Sequence, residues 1–208
     1  MTLEEHHRTL KERKHRDIVN AAQDVFLTKG YDKAQMTDIA KLADVSTATL
    51  YNHFPSKQEL FGAVMGALWE DMSLNINEEK LKTLDARAGL IKIGTKYAEL
   101  LCMNHMRPMF RVIIAEAPHK PELGHELYLK GKKPYLDRLE KYLKTKTQEG
   151  VLNVKRPDIA TRQFLGMIND VVFWPKFLVV DLEVTDKEIK TIIKEAVETF
   201  LARYEVKT

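Results

Sequence analysis

TDIAKLADVSTATLYNHF, the stretch from Thr37 to Phe54, decides the fold. It reads as a short helix starting at Thr37, a three-residue turn at Asp44-Val45-Ser46, and a second short helix running to Phe54 with Ser46 as its N-cap. Ile39, Ala43, Val45 and Leu50 supply the apolar positions that lock two helices across a tight turn, and Ala40 is small where the second helix must approach closely. This is helix-turn-helix spacing. Ile18, Ala22, Val25 and Phe26 form the stripe of a preceding helix that ends near Gly30, so Ile18, Phe26 and Phe54 complete a three-helix core.

The residues of the second helix that do not pack a core carry no acid, cysteine or lysine for catalysis. They suit a different task. Thr47, Ala48 and Thr49 occupy its first turn, the part that meets base edges when such a helix enters a major groove. Small residues bring the backbone close, hydroxyls donate or accept, and methyls touch thymine. Tyr51, Asn52 and His53 can bond flanking phosphates, which positions the helix without reading sequence. Thr37 and Lys57 sit at helix N-termini, where the dipole favours phosphate oxygens. With Ser46, these nine residues are the candidate DNA-binding set. The competing reading is a helical hairpin whose polar face is merely wet.

Outward from this unit, helical periodicity continues almost everywhere. Ser56 and Glu59 form a capping box that opens a helix from Lys57 to about Met72. After a polar stretch from Asn75 to Asp85, helices are expected over about 87–104, 109–116 and 121–149, the last kinked or split by Pro134. Pro157 to Leu178 and Thr185 to Tyr204 make a final pair. No period-2 run and no repeat appears, so the predicted fold is all-α. Short helices and tight turns occupy residues 1–56, the expected DNA-binding domain. Longer helices fill residues 57–208, a larger helical body.

The chain has 208 residues and a net charge of +3, too small a balance to demand a polyanionic partner. Distribution is more informative, since Arg8, Lys11, Arg13, Lys14 and Arg16 crowd the N-terminus against Glu12, with His6, His7 and His15 nearby. Such an arm attracts phosphates, or it is a solvated first helix. A single cysteine, Cys102, excludes an intramolecular disulfide framework. With no apolar signal core and no run of membrane-spanning length, the expectation is a soluble cytoplasmic protein without membrane contact.

Residues from about Asp17 to Leu68, including MTDIAKLADVSTATLYNHFPSKQELF, resemble the N-terminal domain of the TetR family of transcriptional regulators. Thr37, Asp38, Ile39, Ala40, Val45, Ser46, Thr49, Leu50, Tyr51, His53, Phe54, Lys57 and Leu60 fall on the family pattern in register. Two positions depart from it. Asp44 replaces a turn glycine and must tolerate a left-handed backbone; Ala48 replaces a glycine early in the recognition helix. FRVIIAEAPHKPELGHELY, Phe110 to Tyr128, resembles the C-terminal domain of the AefR-like branch.

The resemblance implies a homodimer formed through the last two helices, a palindromic double-stranded DNA operator, and a small apolar or aromatic effector. It further implies a repressor whose recognition helices, moved as a block by the helix from Lys57, leave the operator when the effector binds. The sequence is compatible. Residues 158–178 are apolar nearly all round, and Ile189, Ile193, Ala196, Val197, Phe200 and Tyr204 give the last helix one stripe. Burial within one chain accounts for either helix but not easily for both. Effector contacts are expected from Trp69, Tyr97, Leu101, Phe110, Ile114, Met167, Phe173 and Trp174 facing inward, with Asn169 and Asp170 as polar groups in that apolar surface. Each of these also reads as core, and the two polar ones as groups satisfied by the protein.

Two metal-like clusters, His119 with Glu122, His125 and Glu126, and Cys102 with Met103, His105, Met106 and Met109, read better as a solvated helix start and as methionine packing. No metal or other cofactor is expected. No nucleophile with an adjacent base, phosphate loop or carboxylate pair emerges, so no catalytic residue is assigned and an enzyme in the helical body is the weakest alternative. A DNA-binding or architectural protein without an inducer is the nearer one.

Overall fold

The turn that the sequence places at Asp44 is built as expected: Asp44 adopts φ 52°, the left-handed region, and the amide of Val45 donates to the Ala40 carbonyl at 3.0 Å. The structure is a computed structural model. It describes the backbone of residues 3–73, 81, 83–179 and 181–207, and the side chains of these except 3–7 and 69–73. The described helices are α1 (Leu3–Lys33), α2 (Met36–Leu42), α3 (Thr47–His53), α4 (Lys57–Ser73), α5 (Ala86–Cys102), α6 (Met106–Glu116), α7 (Pro121–Glu126), α8 (Lys133–Gln148), α9 (Pro157–Val172), α10 (Trp174–Leu178) and α11 (Asp186–Tyr204). Among the described residues the extended pairing is a single antiparallel bridge between Leu152 and Glu205, so the fold is all-α. Most of the polar stretch from Asn75 to Asp85 lies outside the described residues.

Several boundaries differ from expectation for identifiable reasons. Gly30 takes φ 75°, which stops the helical run, but helix resumes at once and α1 reaches Lys33. The helix expected over 121–149 is divided: Leu127–Lys132 widen into a π-helical segment, and Pro134 sits in the first turn of α8, where its missing N–H costs nothing. The helix expected over 157–178 breaks at Phe173, because Pro175 cannot donate back to residue 171.

The chain folds as two compact units that do not follow the chain in order: Met1–Leu68 with Pro108–Gly131, and Trp69–Arg107 with Lys132–Thr208. In the first, Ile18, Phe26, Ile39, Leu50 and Phe54 are buried together with Leu60 and Phe61 of α4. Phe26, Tyr31 and Phe61 form an aromatic triangle with ring centroids 5.3–5.6 Å apart. In the second, α9 packs against α5, α8 and α11. Gly94 of α5 lets Ile168, Ile193 and Phe164 close over its backbone. In the apolar stripe of α11, Ile193, Ala196, Val197 and Phe200 are buried within the chain, while Ile189 and Tyr204 at its ends are half-buried. In α9, Ile159 and Val171 lie outward, each 40% exposed.

Candidate nucleic-acid interface

The short helix α3 has too few residues to hold itself together and depends on its caps. Ser46 supplies one: its Oγ accepts from the Thr49 amide at 3.0 Å, and the C-terminal end closes through the Phe54 amide donating to Leu50 at 2.9 Å. Leu50 and Phe54 turn inward, which fixes which face remains outside. Thr47, Ala48, Tyr51 and Asn52 are exposed, spaced one and four residues apart, and form one contiguous surface. Thr37, the second residue of α2, is exposed as well.

Two predicted contact residues are engaged elsewhere. The Thr49 hydroxyl lies 2.8 Å from Ser46 Oγ and shares a hydrogen bond with it, so Thr49 is half-buried and the open first-turn surface is Thr47 and Ala48. The Lys57 ammonium is engaged within the protein. It donates to the carbonyls of Tyr31 at 2.8 Å, Asp32 at 3.2 Å and Ala34 at 3.0 Å, closing the C-terminal end of α1. It also lies 4.6 Å from the Tyr31 ring centroid. Burial pulls the Lys57 ammonium below its ordinary pKa, with Asp32 opposing.

His53 is half-buried at the end of α3. Its ring centroid is 5.8 Å from that of His15 on α1, which in turn lies 4.7 Å from the ring of Phe54. Burial, then His15, Lys11 and Lys14, lowers the His53 pKa. At the Tyr31 end of α1, Lys120 pairs with both Asp32 and Glu116 and sits 5.7 Å from the Tyr31 ring. Sequence spacing carries no signal of that cluster, because its members lie on helices far apart in the chain.

The residues proposed for effector contact differ in burial. In the first unit Phe110 is half-buried, and Ile114 is 50% exposed. In the second, Tyr97, Leu101 and Phe173 are buried, Met167 and Asn169 are half-buried, and Asp170 and Trp174 are exposed. Ile114, Asp170 and Trp174 are the exposed members of the set. The Trp69 side chain lies outside the described residues. Tyr97 stacks on Tyr135 at 5.5 Å, and the Tyr135 hydroxyl donates to the Ile93 carbonyl at 3.3 Å.

Glu126, one of the metal-like set, instead pairs with Lys130 at 2.7 Å. Burial raises the Cys102 thiol pKa, away from the thiolate form that binds soft metals. Among the described residues no group of three or more His, Cys, Asp or Glu is arranged to hold a metal ion, and no helix is long and apolar enough to cross a membrane.

Comparison with known proteins places this geometry. Residues 18–64 match the model of the bacterial regulatory proteins of the tetR family, and residues 88–206 match the AefR-like transcriptional repressor, C-terminal domain. The fatty acid metabolism regulator protein of Bacillus subtilis (strain 168) is 32% identical over 99 residues, covering 46% of this chain and 49% of that protein. The chain thus spans about half the length of this curated relative. A TetR-family protein of Mesorhizobium loti MAFF303099 superposes with a TM-score of 0.82 at 28% identity, over 94% of this chain and 98% of that one. The flavonoid-responsive regulator FrrA superposes with a TM-score of 0.78 at 27% identity, over 95% and 100%.

Proposed function

Since the chain belongs to the TetR family of DNA-binding transcriptional regulators, we propose that it is a homodimeric repressor released from a palindromic operator by a small apolar or aromatic molecule. The observation that carries the DNA-facing half is the open surface of Thr47, Ala48, Tyr51 and Asn52 on a Ser46-capped helix held by Leu50 and Phe54. Thr47 and Ala48 meet base edges, while Tyr51, Asn52, His53 and Thr37 bond phosphates. Lys57 serves the same surface indirectly, by fixing α4 to the end of α1.

The outward face of α9 supports the dimer. Ile159 and Gly166 lie outward on one face of α9, seven residues apart, and a side chain added at Gly166 meets open space within the protomer. A two-fold pairing there, with α11 beside it, would set two α3 helices into successive major grooves about 34–36 Å apart. For the effector, the buried aromatic and aliphatic groups Tyr97, Leu101 and Phe173 suit a flat or chain-like apolar molecule. The response of FrrA to flavonoids is consistent with that chemistry.

The test is fluorescence anisotropy on a labelled duplex from the region upstream of the protein's own coding sequence. Sedimentation runs alongside, with a dimer expected at twice the 24.0 kDa of the chain. Nanomolar binding that Tyr51→Ala weakens at least tenfold, and that a flavonoid or long-chain acyl panel reverses, supports the reading. A monomer at micromolar concentration refutes the dimer, and binding that no panel member reverses refutes the effector class.

A further inference from the structure

Helix α1 extends well beyond the core it serves. Its first buried core residue is Ile18, and residues 11–17 ahead of it are all exposed. Lys11, Lys14 and His15 stand seven, four and three positions before Ile18, so they share the face of α1 that Ile18 turns toward the helix-turn-helix. The ring contacts fix where that face leads. His15 lies against Phe54 and beside His53, at the C-terminal end of the recognition helix. The groups on packed elements whose charge acts at His53 are His15, Lys11 and Lys14, all on α1 and none a carboxylate. Glu12, the acid nearest in sequence, is turned to Arg8 at 3.9 Å.

An array of potential cations drawn from two helices, beside the exposed Tyr51 and Asn52, is complementary to a phosphate backbone passing that end of α3. We propose that Lys11, Lys14, His15 and His53 form one phosphate-binding cluster through which DNA binding takes up protons. This rests on the DNA-binding reading and adds a site and a pH response to it.

The linkage has a definite sign. In the free protein, burial and then neighbouring positive charge hold the His53 pKa below that of an ordinary imidazole. Its contribution to free-protein stability is present above the ordinary imidazole pKa and is lost as pH falls through the lowered one. A DNA phosphate supplies the missing counter-charge and raises the pKa in the complex. DNA affinity must therefore rise as pH falls, opposite to the stability of the free protein.

Phosphate contacts are independent of base sequence, so the experiment needs no operator. Anisotropy of the full chain with a duplex of arbitrary sequence, about 30 base pairs long, is measured at pH 6 to 8 and at several salt concentrations. The wild type should bind about tenfold more tightly at pH 6 than at pH 8. His53→Gln should cut that ratio to about threefold or less. The double variant Lys11→Gln, Lys14→Gln should lower the salt slope by about 2 per bound protomer. His15→Gln, at an exposed position, gives an independent reading if His53→Gln folds poorly by circular dichroism. Histidine variants with the wild-type pH profile, or a lysine double variant with the wild-type salt slope, overturn the proposal. Wild-type protein that binds no duplex at any pH or salt removes the underlying DNA-binding reading as well.

Discussion

Lys57→Met separates two roles that one lysine at the start of α4 could have. The side chain keeps its length and apolar stem but loses the ammonium, which donates to three carbonyls and lies over the Tyr31 ring. Hydrogen bonds to a charged group each contribute about 1.5–3 kcal/mol net, but these three share one ammonium and are not additive. Two of them are part-buried and the Asp32 one is exposed, while the lowered Lys57 pKa shows that desolvation outweighs the Asp32 attraction. A total loss of about 2–3 kcal/mol follows, because the buried ends of α1 must then find water. For a chain of this length, that is a drop of about 4–12 °C in the melting temperature. Circular dichroism melts measure it. The same variant, assayed for DNA binding against salt, should keep the wild-type slope, since the ammonium is committed within the protein. A lysine on a phosphate would instead lower the slope by about 0.9 while sparing stability. An unchanged melt with a reduced slope refutes the reasoning.

Ser46→Ala removes the cap of α3 and should destabilise the protein by about 1 kcal/mol in urea denaturation, more than Thr47→Ala, which removes no cap. Tyr142 has a buried hydroxyl without a partner, packed over Gly89, so Tyr142→Phe should be neutral or stabilising by up to about 1 kcal/mol in the same assay. A clear loss would mean the hydroxyl is bonded. Gly94→Ala would bring a Cβ to 3.0 Å from Ile168 and 3.1 Å from Ile193. Overpacking of about 1–3 kcal/mol should then exceed the helix-propensity gain of about 1 kcal/mol. Gly124→Ala meets open space and should show only the gain.

The helix-turn-helix was legible in the sequence because its determinants are local. Ser46 caps within three residues, Asp44 shapes one turn, and Ile39 and Leu50 are fixed by helical period. What escaped depends on partners distant in sequence. That the Lys57 ammonium bonds carbonyls at the end of α1, twenty-three to twenty-six residues upstream, has no signal in local spacing. The apolar residues after Asp158 look uniformly buried until Pro175 breaks the helix and leaves Val171 and Trp174 outward. Periodicity marks Asp170 as embedded in an apolar run, yet a face turned from α5, α8 and α11 leaves it in solvent.

The two departures from the family pattern have unequal consequences. Asp44 stands where glycine is common, and its backbone adopts the left-handed angle that the turn requires. Aspartate tolerates that region better than most residues, so the substitution is absorbed in the turn and never reaches the reading surface. Ala48 is different. It is exposed, in the first turn of α3, beside Thr47 and with Thr49 drawn back onto Ser46. Its methyl fills space that a glycine would leave for close backbone approach to a base pair. A thymine methyl is the natural apolar neighbour for it in the major groove. On the proposed DNA contact, a difference in base preference between this chain and glycine-bearing relatives would concentrate on this one methyl group.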